Sequence, residues 1–125
     1  MVLQTKGFVN TRQRGRKFNK HGADFGASNP EEYERLADKF LGGALPDDVY
    51  ECARPEGDRL RFDPASEAYG VIDGLGIIRT YFKPVPCASI RDSRARASAI
   101  QTGMCHGHAT NLLYFQSECR RIYGG

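Results

Sequence analysis

The sequence predicts an α+β fold, with an N-terminal helical part, a small antiparallel sheet of about four strands and a C-terminal helix. Three observations predict it: an amphipathic segment at residues 28–43, a series of short strand patterns between residues 48 and 83, and a capped apolar segment from Thr110 onward. A chain of 125 residues fits a single domain, and we expect residues 1–125 to form one unit.

The first predicted element is a helix in SNPEEYERLADKFLGG, residues 28–43. Ser28 or Asn29 can cap its N-terminus, and Pro30 suits the first helical turn. The apolar residues of the helix recur at i, i+3, i+4, i+7 and i+8 and form one stripe: Tyr33, Leu36, Ala37, Phe40 and Leu41.

Residues 1–15, which precede this helix, show little periodicity, and we expect that segment to be flexible.

Short strands separated by turns are predicted next, at residues 48–53, 58–63, 67–73 and 77–83. In the second strand Leu60 and Phe62 share one face. Simple alternation in the last strand predicts Ile78, Thr80 and Phe82 on one face and Ile77, Arg79 and Tyr81 on the other.

Residues 84–105, which follow the sheet, are predicted to form either a mobile basic loop or a short helix. The chain then closes with a helix that Thr110 can cap. Two apolar stripes compete for the inner face of this helix: Leu113, Tyr114 and Ser117 in the first, and Leu112, Phe115, Cys119 and Ile122 in the second.

The net charge of +3 conceals a segregation of charge along the chain. Residues 1–25 hold six Lys or Arg against one acid, residues 26–78 hold five against twelve, and residues 79–125 hold seven against two. If the two basic ends meet in the fold, they form a cationic surface suited to a polyanion; the alternative is a charge scattered over the surface. No apolar run approaches the ~20 residues of a membrane-spanning helix.

The cysteines Cys52, Cys87, Cys105 and Cys119 form no CxxC pair. A domain of this size can fold without disulfides, so free buried thiols are the favoured interpretation. A disulfide between Cys87 and Cys105, or another pairing, is the alternative.

Histidine can transfer protons at neutral pH, and the chain has three: His21, His106 and His108. Cleavage of RNA by its own 2′-OH needs a proton acceptor, a proton donor and groups that stabilise the charge on the phosphate. His21, His106, Arg79, Thr80 and Tyr81 are residue types that could fill these roles. Each also has a structural alternative: a surface histidine, an ion pair, or a packed strand residue.

CHGH at residues 105–108 contains residue types that bind zinc, but its spacing matches no structural zinc pattern and no second cluster completes four ligands. The chain has no P-loop and no GxGxxG motif. We therefore predict no metal site and no cofactor.

Several segments together resemble the C-terminal toxin domains of bacterial polymorphic toxins, such as contact-dependent inhibition and Rhs proteins. They are FNKHGADFG, EEYERLADKFL, ARPEGDRLRFDPASEAYGVIDGLGIIRTYFKP and HGHATNLLYF, and they span most of residues 18–115. Such domains are assigned to the barnase–EndoU–colicin–RelE-like group of ribonuclease folds. The resemblance implies a metal-independent ribonuclease that an immunity protein holds inactive.

The resemblance and the residue types above give two sets of candidate residues. The catalytic candidates, led by His21, are His21, Arg79, Thr80, Tyr81, His106 and Tyr114. The RNA-binding candidates are Lys17, Lys20, Arg54, Arg91, Arg94, Arg96, Thr110 and Asn111.

The resulting hypothesis is an endoribonuclease toxin of interbacterial competition that cleaves RNA, expected to be tRNA, and leaves a 2′,3′-cyclic phosphate. Its expected partners are that RNA and a cognate immunity protein. As a secreted or surface-delivered effector, and a fragment of a larger toxin, it would act in the cytoplasm of the target bacterium. The alternatives are a non-catalytic nucleic-acid-binding module and a metal-dependent nuclease that uses His106 and His108.

Overall fold

The computed structural model of the chain describes residues 3–121. A short 3-10 turn, Gly22–Phe25, follows the helix that ends at His21. Another, Cys87–Ser89, precedes the helix that begins at Ser93. The order of elements confirms the predicted α+β class. No helix in the described part of the chain is long and apolar enough to cross a membrane. The elements are α1 (Thr11–His21), α2 (Pro30–Gly42), β1 (Tyr50–Ala53), β2 (Arg59–Asp63), β3 (Ala68–Ile72), β4 (Ile78–Phe82), α3 (Ser93–Thr102) and α4 (Asn111–Arg120).

The strands form one antiparallel sheet in the order β1-β2-β3-β4, so each pairs with its neighbour in the chain, as predicted. The register shifts between β3 and β4, where Val71 pairs with Thr80 and Ile72 pairs with Ile78. Arg79 is therefore the extra residue of a β-bulge. Because of the bulge, Ile78 joins Tyr81 in one core, which corrects the simple alternation predicted for this strand.

Two apolar cores stabilise the fold, one on each face of the sheet. On one face α1 and α2 pack against the sheet, and Tyr33 and Leu41 of α2 are fully buried there. On the other face Phe115 of α4 packs on Phe62, with 5.9 Å between the ring centroids. The predicted α2 stripe and the pair Leu60 and Phe62 thus reach the interior.

The final helix begins as predicted, because the Thr110 hydroxyl accepts a hydrogen bond from the Leu113 N–H at 3.1 Å. Its inner face is the second of the two competing stripes. Phe115 is 4% exposed, whereas Leu113 is 46% exposed. Ile122, which belongs to that stripe, lies outside the described residues.

Residues 3–15, the part of the expected flexible segment that the structure describes, make tertiary contacts and include the start of a helix. The buried Asp38 carboxylate accepts hydrogen bonds from the backbone N–H groups of Gln4 and Thr5, at 2.9 and 2.7 Å. α1 then begins at Thr11, within the same segment. Apolar periodicity could not predict this helix, because Phe18 is the one apolar side chain in TRQRGRKFNKH.

Both cysteine pairs are oxidised, which corrects the favoured interpretation of free thiols. Cys52–Cys119 joins β1 to α4 across 67 residues of sequence. Cys87–Cys105, the alternative named from the sequence, closes the base of the segment that carries α3.

Candidate active site

The face of the sheet beside α4 is the floor of a cleft of about 760 Å³, here called the central cleft. Thr80 and Phe82 of β4 line it together with Tyr69 of β3. Tyr114 of α4 forms a wall and packs edge-to-face on Tyr69, with ring centroids 5.3 Å apart. The remaining lining residues are Arg54, Glu56, Asp58, Val71, Asp73, Arg79, Glu118 and Arg121.

His21 lines a smaller cavity of about 210 Å³, the His21 pocket, which adjoins the central cleft. His21 is the last residue of α1, is 8% exposed, and stacks on Phe82 with 5.1 Å between the ring centroids. Thr80 and Phe82 line both cavities, so the imidazole lies next to the cleft floor. The other lining residues are Lys17, Lys20, Asp24, Lys83, Val85, Gly103 and Met104.

The electrostatics of this pocket keep His21 neutral. Burial, reinforced by the positive charges of Lys17 and Lys20, lowers the pKa of His21 to about 4. At pH 7 the imidazole therefore carries no charge and can accept a proton. An anion bound beside the lysines would offset their repulsion and raise the pKa of His21, which would favour that proton transfer.

The basic N-terminal segment meets the basic segment that begins at Arg79. Burial lowers the pKa of Lys17, and the nearby charges of Lys20, Arg16 and Arg79 lower it further. The Arg79 side chain is 60% exposed, and its guanidinium lies 4.0 Å from the carboxylate of Asp73. Arg16 and Lys17 line one cavity together with Arg79, so cations from both basic segments lie close together there. We call Arg16, Lys17, Lys20 and Arg79 the cationic cluster.

His106 lines a cavity of about 130 Å³ that shares Phe82, Val85, Gly103 and Met104 with the His21 pocket, and the pairing of the two histidines as base and acid stays a prediction. The Nδ1 of His106 accepts the His108 backbone N–H at 3.2 Å, and its Nε2 bonds the Asn111 Oδ1 at 2.7 Å. Both ring nitrogens are therefore occupied. The His106 ring stacks on Tyr114 at 4.5 Å between centroids, so it supports the wall of the central cleft.

Asn111 and Thr110 were predicted to bind RNA, and the structure gives each of them a structural role. Asn111 is 8% exposed, and its amide donates to the Glu67 carboxylate at 2.9 Å and to the Pro84 carbonyl at 2.8 Å. Thr110 caps α4. Glu67, at φ 65°, is the member of this network that sequence patterns missed, because no motif marks a carboxylate far along the chain as a partner of Asn111.

Tyr81 lies on the opposite face of the sheet from Thr80 and lines neither the central cleft nor the His21 pocket. It belongs to the core beneath α2, and its backbone carbonyl accepts a hydrogen bond from the Tyr33 hydroxyl. Burial and the nearby charge of Asp63 raise the pKa of Tyr81 to about 12.

Arg54 lines the central cleft but is buried among acids, and its contact with RNA stays a prediction. Its side chain is 3% exposed and lies 2.8 Å from Asp58, 3.4 Å from Glu56 and 3.9 Å from Glu118. The guanidinium also donates to the Glu118 backbone carbonyl at 3.0 Å. Arg54 thus ties the β1–β2 turn to α4.

Residues 84–105 contain the helix α3, so the helix is the correct alternative for this segment. Its three arginines lie at or just before this helix. Arg96 donates to the backbone carbonyls of Ile90 and Arg91, at 2.8 and 3.2 Å, and thereby holds the turn before the helix. Arg91 and Arg94 are exposed, and their contact with RNA stays a prediction.

The geometry of CHGH does not support a metal site. Within residues 3–121, no three or more His, Cys, Asp or Glu side chains are arranged to hold a metal ion. Cys105 is bonded to Cys87 and offers no thiolate. His106 has protein partners at both ring nitrogens.

Sequence patterns also missed Phe82 and Lys83, which line the His21 pocket. Their position directly after Thr80 and Tyr81, at the end of a strand, is the clue that could have identified them.

No protein-family profile and no curated protein sequence matches the chain. Among solved structures, the chain is similar to a ribonuclease from Escherichia coli complexed with its inhibitor protein. The two chains share 20% sequence identity with a TM-score of 0.45, over 73% of this chain and 98% of that chain. A likeness at this TM-score carries no weight for function, which rests below on the geometry of the two cavities.

Proposed function

We propose that the protein is a metal-independent endoribonuclease whose active site is the His21 pocket together with the adjoining part of the central cleft. The observation that carries the proposal is a buried, neutral imidazole beside Lys17 and Lys20 at the edge of an open cleft. A proton acceptor next to cations is what transesterification of a phosphodiester requires.

In the proposed reaction His21 takes the proton of the ribose 2′-OH. The 2′-oxygen forms a bond to phosphorus, and the bond between phosphorus and the 5′-oxygen breaks. The products are a 2′,3′-cyclic phosphate and a 5′-hydroxyl. Lys17 is the proposed donor of the proton to the 5′-oxygen, because its pKa is lowered and it lines the same pocket as His21.

The other residues of the site bind the phosphate and orient it. Arg79 and Lys20 are placed to stabilise the negative charge that develops on the phosphate oxygens. The Thr80 hydroxyl lies between the two cavities and can donate a hydrogen bond to the same oxygens. Tyr114, held by His106, lines the cleft where the RNA chain would continue.

We propose structured RNA, tRNA in the first instance, as the substrate, and a cognate immunity protein with an acidic face as the inhibitor. The cationic cluster and the exposed Arg91 and Arg94 offer a surface for either polyanion. Delivery from one bacterium to another is supported by the two disulfides, because such bonds form in oxidising compartments outside the cytoplasm.

The test is cleavage of total bacterial RNA by the purified chain, with and without EDTA, followed by analysis of the new termini. We expect fragments with 2′,3′-cyclic phosphate ends in both lanes. His21→Ala should lower the rate at least ~100-fold, the usual range for the loss of a general base. Arg79→Ala should lower it as well.

His108→Ala is the matched control, because His108 lines neither cavity. Unchanged cleavage in His21→Ala would place the catalytic base elsewhere. Loss of fragments in EDTA would favour the metal-dependent nuclease. RNA that is shifted on a gel but not cut in either lane would favour the nucleic-acid-binding module.

A further inference from the structure

A second cavity, of about 670 Å³, lies on the face of the sheet opposite the central cleft. We call it the α2 groove. The C-terminal half of α2, the loop at residues 43–49 and the turn between β2 and β3 border it. Its volume falls within the range of ordinary ligand sites, about 300–1,000 Å³.

The walls of the α2 groove suit a flat aromatic ring. Phe25 stacks on Tyr81 at 4.0 Å between centroids with an interplanar angle of 13°, and Phe40 packs on Tyr81 at 5.5 Å. Phe25 and Phe40 are half-buried, so part of each ring borders the groove. Aromatic side chains of this kind stack on nucleobases by about 1–3 kcal/mol per base.

Polar groups at the base of the groove suit the edge of a nucleobase. The Asp63 carboxylate accepts hydrogen bonds from the Ala65 N–H and the Ser66 hydroxyl, each at 2.9 Å, which fixes its orientation. Tyr81 also lines the groove, and its hydroxyl can donate or accept. Carboxylates and hydroxyls read base edges in nucleic-acid complexes.

The rim of the groove is basic and leads to the proposed active site. Lys39 and Lys83 line the groove, and the Lys83 ammonium lies 5.4 Å from the centroid of the Phe25 ring. Lys83 and Asp24 line both the α2 groove and the His21 pocket. A nucleotide strand can therefore pass from one cavity to the other around the end of β4.

We infer that the α2 groove binds a nucleobase of the RNA next to the scissile phosphate. The inference rests on the proposed function and names the part of the substrate that this second cavity selects. It also gives a role in base selection to Tyr81, which lines neither cavity of the proposed active site. Ligand binding by the groove is measured apart from cleavage, so the two proposals can fail independently.

The experiment titrates the whole chain with the four nucleoside 5′-monophosphates and, separately, with inorganic phosphate. We expect at least one nucleotide to bind at least ten-fold more tightly than phosphate. Ala44→Trp should weaken that binding at least ten-fold, because Ala44 is an exposed residue of the loop that lines the groove. Leu45→Trp is the matched control, since Leu45 is exposed beside it and does not line the groove.

Tyr81→Phe is a second variant that keeps the packing and removes only the hydroxyl, and it should weaken nucleotide binding about three- to ten-fold. Equal binding of phosphate and nucleotides would overturn the inference, as would full binding by Ala44→Trp. Cleavage of RNA without any nucleotide binding would overturn the proposed nucleobase site but not the proposed ribonuclease activity. Nucleotide binding that survives in His21→Ala supports the base site whether or not RNA is cut.

Discussion

His21 shows how the surroundings of a residue change its protonation. The sequence placed it among Arg16, Lys17 and Lys20, which would be an unremarkable surface if α1 were exposed at its end. In the fold the imidazole is 8% exposed and rests on Phe82. Burial and the adjacent ammonium groups then disfavour the charged form, so the side chain is neutral at pH 7.

The lowered pKa of His21 has a consequence for stability. The unfolded chain takes up a proton at this residue below about pH 6.5, while the folded chain does so only near pH 4. Between these values the unfolded state binds more protons, so the free energy of unfolding falls as the pH falls. Lowering the pH from 7 to 5 should cost about 2 kcal/mol through this residue alone.

Urea unfolding at pH 7 and pH 5 measures this loss, and the comparison between variants isolates it. His21→Gln should remove about 2 kcal/mol of the pH dependence. His108→Gln, a change of the same type outside the His21 pocket, should keep it. An equal pH dependence in the wild type and His21→Gln would show that His21 ionises alike in the folded and unfolded chains.

Other residues show where reasoning from sequence ends. Arg79 and Thr80 were named from a strand pattern, and they do line the central cleft. Tyr81 was named with them but faces the other core, because adjacent residues of a strand point to opposite faces of the sheet. His106 was named as catalytic; in the fold its ring stacks on Tyr114, and its nitrogens bond Asn111 and His108.

At the scale of elements, the sequence predicted those helices and strands that are specified by residues close together in the chain. α2 has a cap, a proline in its first turn and a complete apolar stripe, so its sequence alone specifies it. The strands follow from alternation and turn residues. α1 lacks a stripe and depends on outside contacts, since Arg14 pairs with Glu31 and Glu34 of α2, each at 3.1 Å. Such contacts between distant residues are not visible in a single sequence.

The two disulfides should differ in what they stabilise. Cys52–Cys119 closes a loop across the whole sheet, and its removal should cost about 4 kcal/mol of global stability. Cys87–Cys105 closes a short segment whose helix, α3, has no buried residue. A helix of that length is marginal without tertiary packing.

Hydrogen exchange followed by mass spectrometry separates these effects. In Cys87→Ser/Cys105→Ser, we expect the amides of α3 to lose protection while those of β2 and β3 keep it. In Cys52→Ser/Cys119→Ser, protection should fall in the whole sheet. Intact protection of α3 in the first double variant would contradict the view that the disulfide holds the helix in place.

At the scale of the whole molecule, the fold brings cations from the two basic ends of the sequence close together. Residues 1–25 and 79–125 carry the excess of cations, and α1 contacts β4. Residues 26–78 carry twelve acids against five cations. The charge pattern left open whether the basic segments meet, so both that meeting and the position of His21 beside Lys17, Lys20 and Lys83 required the structure.

This distribution predicts how RNA binding depends on salt. In the inactive His21→Ala form, the logarithm of the association constant should fall linearly with the logarithm of salt concentration, by about 0.7 per phosphate that the protein neutralises on a single strand. Arg16→Gln removes one exposed member of the cationic cluster and should make the slope shallower by about 0.7. Arg35→Gln removes an exposed cation of α2 that lines none of the cavities described above, and it should leave the slope unchanged. Filter binding between about 50 and 200 mM salt measures both slopes. If the two variants changed the slope equally, RNA would be bound by charge spread over the surface, and the cationic cluster would not be its site.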